Sequence, residues 1–390
     1  MAEYYHNRYG NDRKRKRNRP PIWALLADTV MAVVSVLAVA GLLAVFIGQF
    51  VPPDSMWYFS LPVLVAPLIY MTATAAALYW IIRWKWMAVT AMSVFVVAGL
   101  FYVSLFYKLD IARQYGEPAY ERGNIKVLSY NVRIFRNDLW ENRTDSITEF
   151  VKRMQPDIVC FQEFPTLDSV RREINGLMDG YTPCGLPSLS DGFVECYTKY
   201  GIIGCETITG MEGTASGITA DLRIGNDTVR LVNIHLQTTS ISADDKEYIS
   251  RHRFISDTTR EKKIHGIARR LLDNNILRAQ QARVLRRIID DSPYPVIVCG
   301  DFNDVPMSYA YRKIARRLDD TFSRAGHGYA HTFRGFYNML RIDYILVSPD
   351  FETLSYEVPQ IDASDHYPVF ARLKLTQKKE KYDFGLPAKQ

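Results

Sequence analysis

Residues 296–304 read Val-Ile-Val-Cys-Gly-Asp-Phe-Asn-Asp (VIVCGDFND). Four apolar residues in succession, three of them β-branched, predict a strand buried on both faces. A glycine ends the run, and Asp301, Asn303 and Asp304 follow at once. Taken alone, an Asp-x-Asn step after a strand is as well explained by a turn. The arrangement recurs, however. Asn131 follows VLSY, Gln162 and Glu163 follow DIVCF, and His235 follows LVNI. Asp343 stands near the start of IDYILVS (342–348), and Asp365 and His366 precede YPVF. Strand ends converge on one rim of a layered domain, so these side chains can meet without a long-range coincidence.

Working outward, residues 124–376 alternate short apolar strands with amphipathic helices. Residues 125–131 alternate with period two, 146–154 read as a helix, and 157–161 as a buried strand. Residues 193–203 hold two short strands around a turn. Residues 218–224 and 228–235 form a hairpin over Gly225-Asn226-Asp227, and 264–290 is a long helix with arginines on one side and Ile/Leu on the other. Strands at 296–299, 343–347 and 369–375 complete the set, and no internal repeat is present.

The polar residues at these strand ends are carboxylates, amides and imidazoles. That donor set favours a hard cation such as Mg²⁺ or Mn²⁺, and no thiolate stands among them to favour zinc. Phosphate-ester hydrolysis needs a metal to neutralise phosphoryl oxygens, a base for water, and donors for the charge that builds in line. These residue types can supply all three.

The motifs SYNV (129–132), QE (162–163), NIHL (233–236), GDFND (300–304), IDYILVS (342–348) and SDHYPV (364–369) resemble, in type and in order, those of the endonuclease/exonuclease/phosphatase (DNase I-like) superfamily. The resemblance covers roughly residues 122–376. It implies an α/β fold, a four-layer α/β/β/α sandwich with the site at one end of two sheets. It also implies roles. Glu163 is the main metal ligand, with Asp365 assisting. Asp301 orients or deprotonates water, and Asn303 and Asn131 hold the phosphate and the Asp301 side chain. His366 donates to the phosphate or protonates the leaving group, Asp343 holds His366, and His235 is a second phosphate-side donor, for which Glu195 is a candidate carboxylate partner. Each residue also has an ordinary alternative: a buried structural histidine at 235, a solvated strand start at 343, and for Arg341 either a phosphate contact or a surface ion pair.

The N-terminal part is different in kind. Residues 29–51 are free of charge and ~35 Å long as a helix, enough to cross a bilayer core. Residues 55–82 are a second uncharged run, with Pro62 and Pro67 placed to kink it, and residues 86–107 form a third such run. Three transmembrane helices are expected. The first run is too long for a cleaved signal peptide. Seven Lys/Arg in residues 1–22 give that tail a net charge of +5, residues 23–107 are neutral, and about +1 of the chain's +6 remains for the rest. By the positive-inside rule the tail is cytoplasmic. The expected organisation is a basic tail (1–22), three transmembrane helices (23–107), a linker (108–123) with Gly116 and Pro118, the catalytic domain (124–376) and a C-terminal tail (377–390). An odd number of spans makes the protein multi-pass in the cytoplasmic (inner) membrane with its catalytic domain extracytoplasmic.

None of the five cysteines has C-x-x-C spacing, which argues against a structural zinc site. Cys160 and Cys299 sit in apolar strands, while Cys184, Cys196 and Cys205 leave a disulfide open among them. A near-neutral domain gives little help to nucleic-acid binding. Tethering to the bilayer favours a lipid-linked phosphate or pyrophosphate as substrate, and the basic stretch of residues 240–266 could meet anionic head groups. The alternative is a membrane-tethered extracytoplasmic nuclease acting on nucleic acid. A non-catalytic binding protein on the same fold fits less well, because the ligand set is intact.

Overall fold

The computed structural model describes residues 21–108, 124–185, 193–239, 260–335 and 338–376. The basic tail, the linker and both the C-terminal tail and most of the 240–266 stretch lie outside the described residues.

Two six-stranded sheets pack face to face. The first runs β13 (Phe351–Glu357), β14 (Val369–Leu375), β2 (Asn124–Asn131), β3 (Ile158–Phe164), β5 (Phe193–Thr198), β4 (Thr182–Cys184). The second runs β10 (Asp319–Asp320), β12 (Asp343–Val347), β9 (Val296–Asp301), β8 (Asp227–His235), β7 (Ser216–Ile224), β6 (Gly201–Thr207). Each sheet is antiparallel except for one parallel pair, β2 with β3 and β8 with β9. The inward faces meet in a core that includes Val127, Cys160, Leu231, Cys299 and Ile345. Helices Thr144–Met154 and Asp168–Leu177 cover the outside of the first sheet, against Val159, Phe161 and Phe164. Helix Arg260–Asp290 covers the second, burying Ala282, Leu285 and Ile289 at helical spacing. The four-layer α/β/β/α sandwich is therefore as expected. The sequence reading does not include helix Asp168–Leu177, although its apolar residues lie on one face, nor helix Tyr309–Ala315, short strand β4 and edge strand β13.

A disulfide joins Cys184 on β4 to Cys205 on β6, tying the two sheets at one edge, and Cys196 stays free and buried. Beneath the rim a second tie is polar: Gln162 Nε2 donates to Asn233 Oδ1 (2.8 Å), and Asn233 Nδ2 donates to the carbonyls of Phe161 and Glu195. Gln162 of the QE motif and Asn233 of the NIHL motif thus bond to each other inside the core instead of facing solvent.

Gly300 has φ 144°, and a Cβ there would lie 1.9 Å from the Ile234 carbonyl oxygen of the parallel neighbour. Gly300→Ala is expected to lower the unfolding free energy by about 2–4 kcal/mol, read by denaturant or thermal unfolding. Wild-type stability in that variant would show that β8 and β9 can part without cost.

The N-terminal part is a helical bundle. Among the described residues, helix Ile22–Gly48 alone is long and apolar enough to cross a membrane. The second run is broken. Trp57–Val63 and Ala66–Ile82 pass the same test only as a pair bent by 71°, and the third helix offers the shorter apolar stretch Trp86–Val97. This corrects the expectation of three full-length spans. Pro62 and Pro67 lack backbone N–H groups, so the helix cannot run unbroken through Val65. The helices pack through small residues, Ala38, Ala73 and Ala76, around Leu42 and Trp80. Their outer faces expose Val33, Leu37, Leu68, Met71 and Val94. The Gly48 end of the bundle is docked on the sandwich: Val45, Val63 and Ala66 pack with Val305 and Met307, and Arg283 pairs with Asp54 at 2.7 Å. Beyond the third helix, β1 (Tyr107–Lys108) pairs with β11 (Gly328–Tyr329) of the sandwich.

Candidate active site

Strand register assembles the rim. His235 at the end of β8 pairs with Asp301 at the end of β9, and Asp301 pairs with Asp343 at the start of β12. On the facing sheet, Asn131 at the end of β2 lies beside Gln162, one residue before Glu163. Asn131 bridges the two sheets, its Nδ2 donating to Asp301 Oδ2 (3.0 Å) and Glu163 Oε1 (3.2 Å). Pairing between β3 and β5 shifts register between Phe161 and Phe164, and Glu163 takes a left-handed φ of 50°. The bulge turns the Glu163 carboxylate onto the rim, where about a third of the side chain is exposed.

Asp301 is fully buried. Its Oδ1 accepts the Asn303 backbone N–H at 2.7 Å, and Asn303, also left-handed (φ 50°), donates its side-chain amide to the Leu236 carbonyl at 3.1 Å. Both imidazoles approach Asp301 Oδ2: His235 Nε2 and His366 Nε2 each lie 3.7 Å away. Burial pushes the Asp301 carboxyl up, and the Asp343 charge pushes it further. His366, His235 and Asn131 oppose this, leaving it at about 6. His366 Nδ1 is 2.9 Å from Asp343 Oδ2. Burial pulls the His366 imidazole down, but the carboxylates of Asp343 and Asp301 outweigh it and hold it protonated up to about 10. Thr332 Oγ1 accepts the backbone N–H groups of Ile342 and Asp343 and so fixes the start of β12.

Three polar atoms on the rim are buried without a hydrogen-bond partner among the described residues: His235 Nδ1 and Nε2, and Asp343 Oδ1. Buried groups of this kind are usually satisfied by a ligand or water. Asp301, Asp343 and His366 bring ligand atoms within 4.8 Å of one another, a spacing that also suits a cation. Within that trio Asp343 Oδ2 is already engaged by His366 Nδ1 at 2.9 Å. The outer pair, Glu163 and Asp365, presents more open carboxylates. Asp365 Oδ2 has Arg133 Nε at 3.6 Å.

The structure brings together all eight residues singled out from the sequence: Asn131, Glu163, His235, Asp301, Asn303, Asp343, Asp365 and His366. It separates two others from the rim. Glu195 is not the partner of His235. It is buried and paired with Arg171 at 2.7 Å, its carboxyl pushed up by burial, against the Arg171 charge, to about 7. Arg341 is not at the surface. It is buried in a pair with Asp320 (2.7 Å), lies over the rings of Phe322 and Tyr344, and donates to the Leu105 carbonyl. Sequence reading missed Arg133 and Arg334. Arg133, Ile134 and Phe135 are consecutive left-handed residues that follow SYNV and carry the Arg133 guanidinium to Asp365 and Asp138. Arg334 pairs with Asp362 and bonds the Ser364 carbonyl. The only available signal was their proximity to the motifs. Arg278, buried and 3.3 Å from Asp304, braces the GDFND turn from the long helix.

The family model described as Endonuclease/Exonuclease/phosphatase family matches residues 128–366. A second, described as Domain of unknown function (DUF8431), matches residues 28–106. No curated protein matches the chain. Among solved structures, an endonuclease/exonuclease/phosphatase from Bacteroides vulgatus is 20% identical, with a TM-score of 0.50 over 65% of this chain and 100% of that one. A mannosyl-6-phosphatase from Bacteroides thetaiotaomicron is 18% identical, with a TM-score of 0.48 over 64% of this chain and 99% of that one. D. rerio TDP2 complexed with single-strand DNA product is 15% identical, with a TM-score of 0.47 over 64% and 99%. The first of these likenesses is one of fold.

Proposed function

The chain belongs to the endonuclease/exonuclease/phosphatase family and is a phosphoric ester hydrolase, and on that premise we propose that it is a membrane-anchored, Mg²⁺- or Mn²⁺-dependent enzyme acting on a lipid-linked phosphate ester or pyrophosphate. The observation that carries the chemistry is the Asp301 carboxylate, held by Asn131 and Asn303, with an imidazole 3.7 Å away on each side.

Oxygen donors on the rim fit a hard cation. Glu163 Oε1 accepts only the Asn131 amide at 3.2 Å and has His235 at 3.7 Å, so Glu163 would hold the ion, with Asp365 assisting. When bound, the ion supplies Lewis-acid neutralisation of the phosphoryl oxygens. Asp301 takes a proton from the attacking water; its raised pKa makes it a better base than an ordinary carboxylate. Protonated His366, kept charged and oriented by Asp343, gives a proton to the leaving oxygen. His235 donates to a non-bridging oxygen, which answers its unpaired ring nitrogens.

The pH profile follows from these directions. Activity falls as pH drops through the Asp301 value, at or below about 6 once a cation adds its charge, and falls again as pH rises through the His366 value near 10. Asp343→Asn removes the nearest charge from His366 and is expected to move the alkaline limb down by about 1–3 units. An unmoved limb would assign that limb to another group.

Membrane anchoring is supported by the exposed apolar faces of helix Ile22–Gly48, of which only 17% of the most apolar window is buried. With a cytoplasmic basic tail, that helix delivers Gly48 to the outer side. The docking of the sandwich on the Gly48 end supports an extracytoplasmic catalytic domain. The Cys184–Cys205 disulfide accords with an oxidising compartment. The nuclease reading draws on Trp140, 58% exposed and under the Arg133 guanidinium, as a platform for a base.

Purified full-length protein with Mg²⁺, offered a polyprenyl pyrophosphate, a phospholipid panel and plasmid DNA, is expected to release phosphate from a lipid and leave the plasmid intact. Plasmid cleavage with no lipid turnover would replace this reading by the nuclease.

A further inference from the structure

A groove of about 750 Å³ runs between helices Ala66–Ile82 and Trp86–Val103 and ends against the sandwich. Met71, Ala75 and Val96 line its bundle end, and Met307, Tyr329 and Met339 its sandwich end. Its size is that of a small-molecule site, roughly 300–1,000 Å³. Few polar groups are offered inside it. The Thr74 hydroxyl is spent on the Tyr70 carbonyl of its own helix, and the Tyr329 hydroxyl on the Met339 carbonyl. The ring of Tyr70 lies across Gly99, where a Cβ would come within 1.7 Å of it, so the two helices meet through that ring.

The sandwich end of the groove connects with the catalytic rim by two routes. Met307 follows GDFND by three residues. The segment bearing Tyr329 and Met339 continues into Phe333 and Leu340, which pair with each other; Phe333 also pairs with His366, and its ring lies 5.0 Å from the imidazole. One end of the groove is thus among apolar helices, and the chain segments that line the other run on to GDFND and to Phe333 beside His366.

We infer that this groove is the binding site for the hydrocarbon chain of a lipid phosphate whose head group occupies the rim. The inference rests on the lipid-linked reading of the substrate given above. A chain leaving bilayer lipid for the groove gains little hydrophobic free energy, because lipid tails are as apolar as the lining. The groove therefore positions the substrate. It holds the head group at high effective concentration beside Asp301 and His366, and the benefit appears in kcat/KM for long-chain substrates. A short, water-soluble phosphate ester gains nothing from it.

The test uses the full chain in phosphatidylcholine nanodiscs, with hexadecyl phosphate bearing a chain-end diazirine as probe. Photolabelling is expected on Ala75 or Val96, competed by unlabelled hexadecyl phosphate. Ala75→Trp, which fills the groove away from the rim, is expected to lose that labelling and to lower kcat/KM for hexadecyl phosphate about 10- to 100-fold. Its activity on p-nitrophenyl phosphate and its unfolding temperature should stay at wild-type values, showing that the fold is intact. Labelling confined to outward residues such as Val33 and Leu37 would overturn the inference. So would equal turnover of hexadecyl phosphate by wild type and Ala75→Trp. Competed groove labelling without turnover of any lipid phosphate would uphold the groove as a chain site and sink only the lipid-substrate reading.

Discussion

Asp301→Asn is expected to lower kcat by about 10²–10⁴-fold with KM changed only a few-fold. The substitution keeps the size of the side chain and its acceptor for the Asn303 N–H, so substrate can still bind. What it removes is the base. It also removes one of the charges that keep His366 protonated, so the imidazole should titrate lower, a shift that NMR of the ring protons would report. Burial raises the Asp301 carboxyl from 3.8 to about 6, so the stability tied to its proton is present below about pH 4 and lost as pH rises through 6. At pH 8 the wild type carries a buried, unfavourable charge that the variant lacks. The amide introduced by Asp301→Asn also sets a donor against Asn131 Nδ2, where Asp301 Oδ2 accepts at 3.0 Å, so the absolute stability is not the readout. The readout is the pH dependence: the loss of stability between about pH 4 and 8 expected of the wild type should be smaller in the variant, and an unchanged pH dependence would show that another group titrates there.

The second large effect is expected at Glu163. Glu163→Gln keeps the shape and can still accept from Asn131, but loses the charge that would hold a divalent cation. Metal contributions of several kcal/mol correspond to about 10³-fold in rate. A loss of that order is expected at low Mg²⁺, with partial recovery as Mg²⁺ or Mn²⁺ is raised. Mn²⁺ affinity, followed by isothermal titration or by electron paramagnetic resonance, should fall in parallel. Unchanged Mn²⁺ affinity would remove Glu163 as the ligand and point to the Asp301–Asp343–His366 trio instead. The backbone supports the first assignment. A non-glycine residue at φ 50° costs on the order of 1–3 kcal/mol, and here the strained residue is the one whose carboxylate the bulge turns onto the rim.

Much of the site could be read from the chain because strand ends are a local property. An apolar run followed by a polar residue marks both a buried strand and the point where it leaves the core. Asn131, His235 and Asp301 are legible that way, Asp343 stands instead where a strand begins, and the order of the motifs makes their convergence specific. Arg133 and Arg334 were not found, because each lies in an irregular segment whose path depends on what it packs against. The three left-handed residues 133–135 have no sequence signature, since none is glycine or asparagine.

The sequence by itself determined the layered fold, the strand-end positions of the rim residues, the hard-donor chemistry and the apolar character of the first hundred residues. Each is written in local period, run length or residue type. Only the tertiary structure decided which groups pair. Asn131 meets Asp301 across 170 residues of chain, Glu195 turns to Arg171 and away from His235, Arg341 is buried against Asp320, and Cys205 bonds to Cys184 while Cys196 does not. It also decided that the second apolar run bends by 71° and that the sandwich docks where the first helix ends. These outcomes depend on register and on packing between segments far apart in the chain. A one-residue slip in register would send every one of these side chains to the opposite face, and no local pattern records which register was taken.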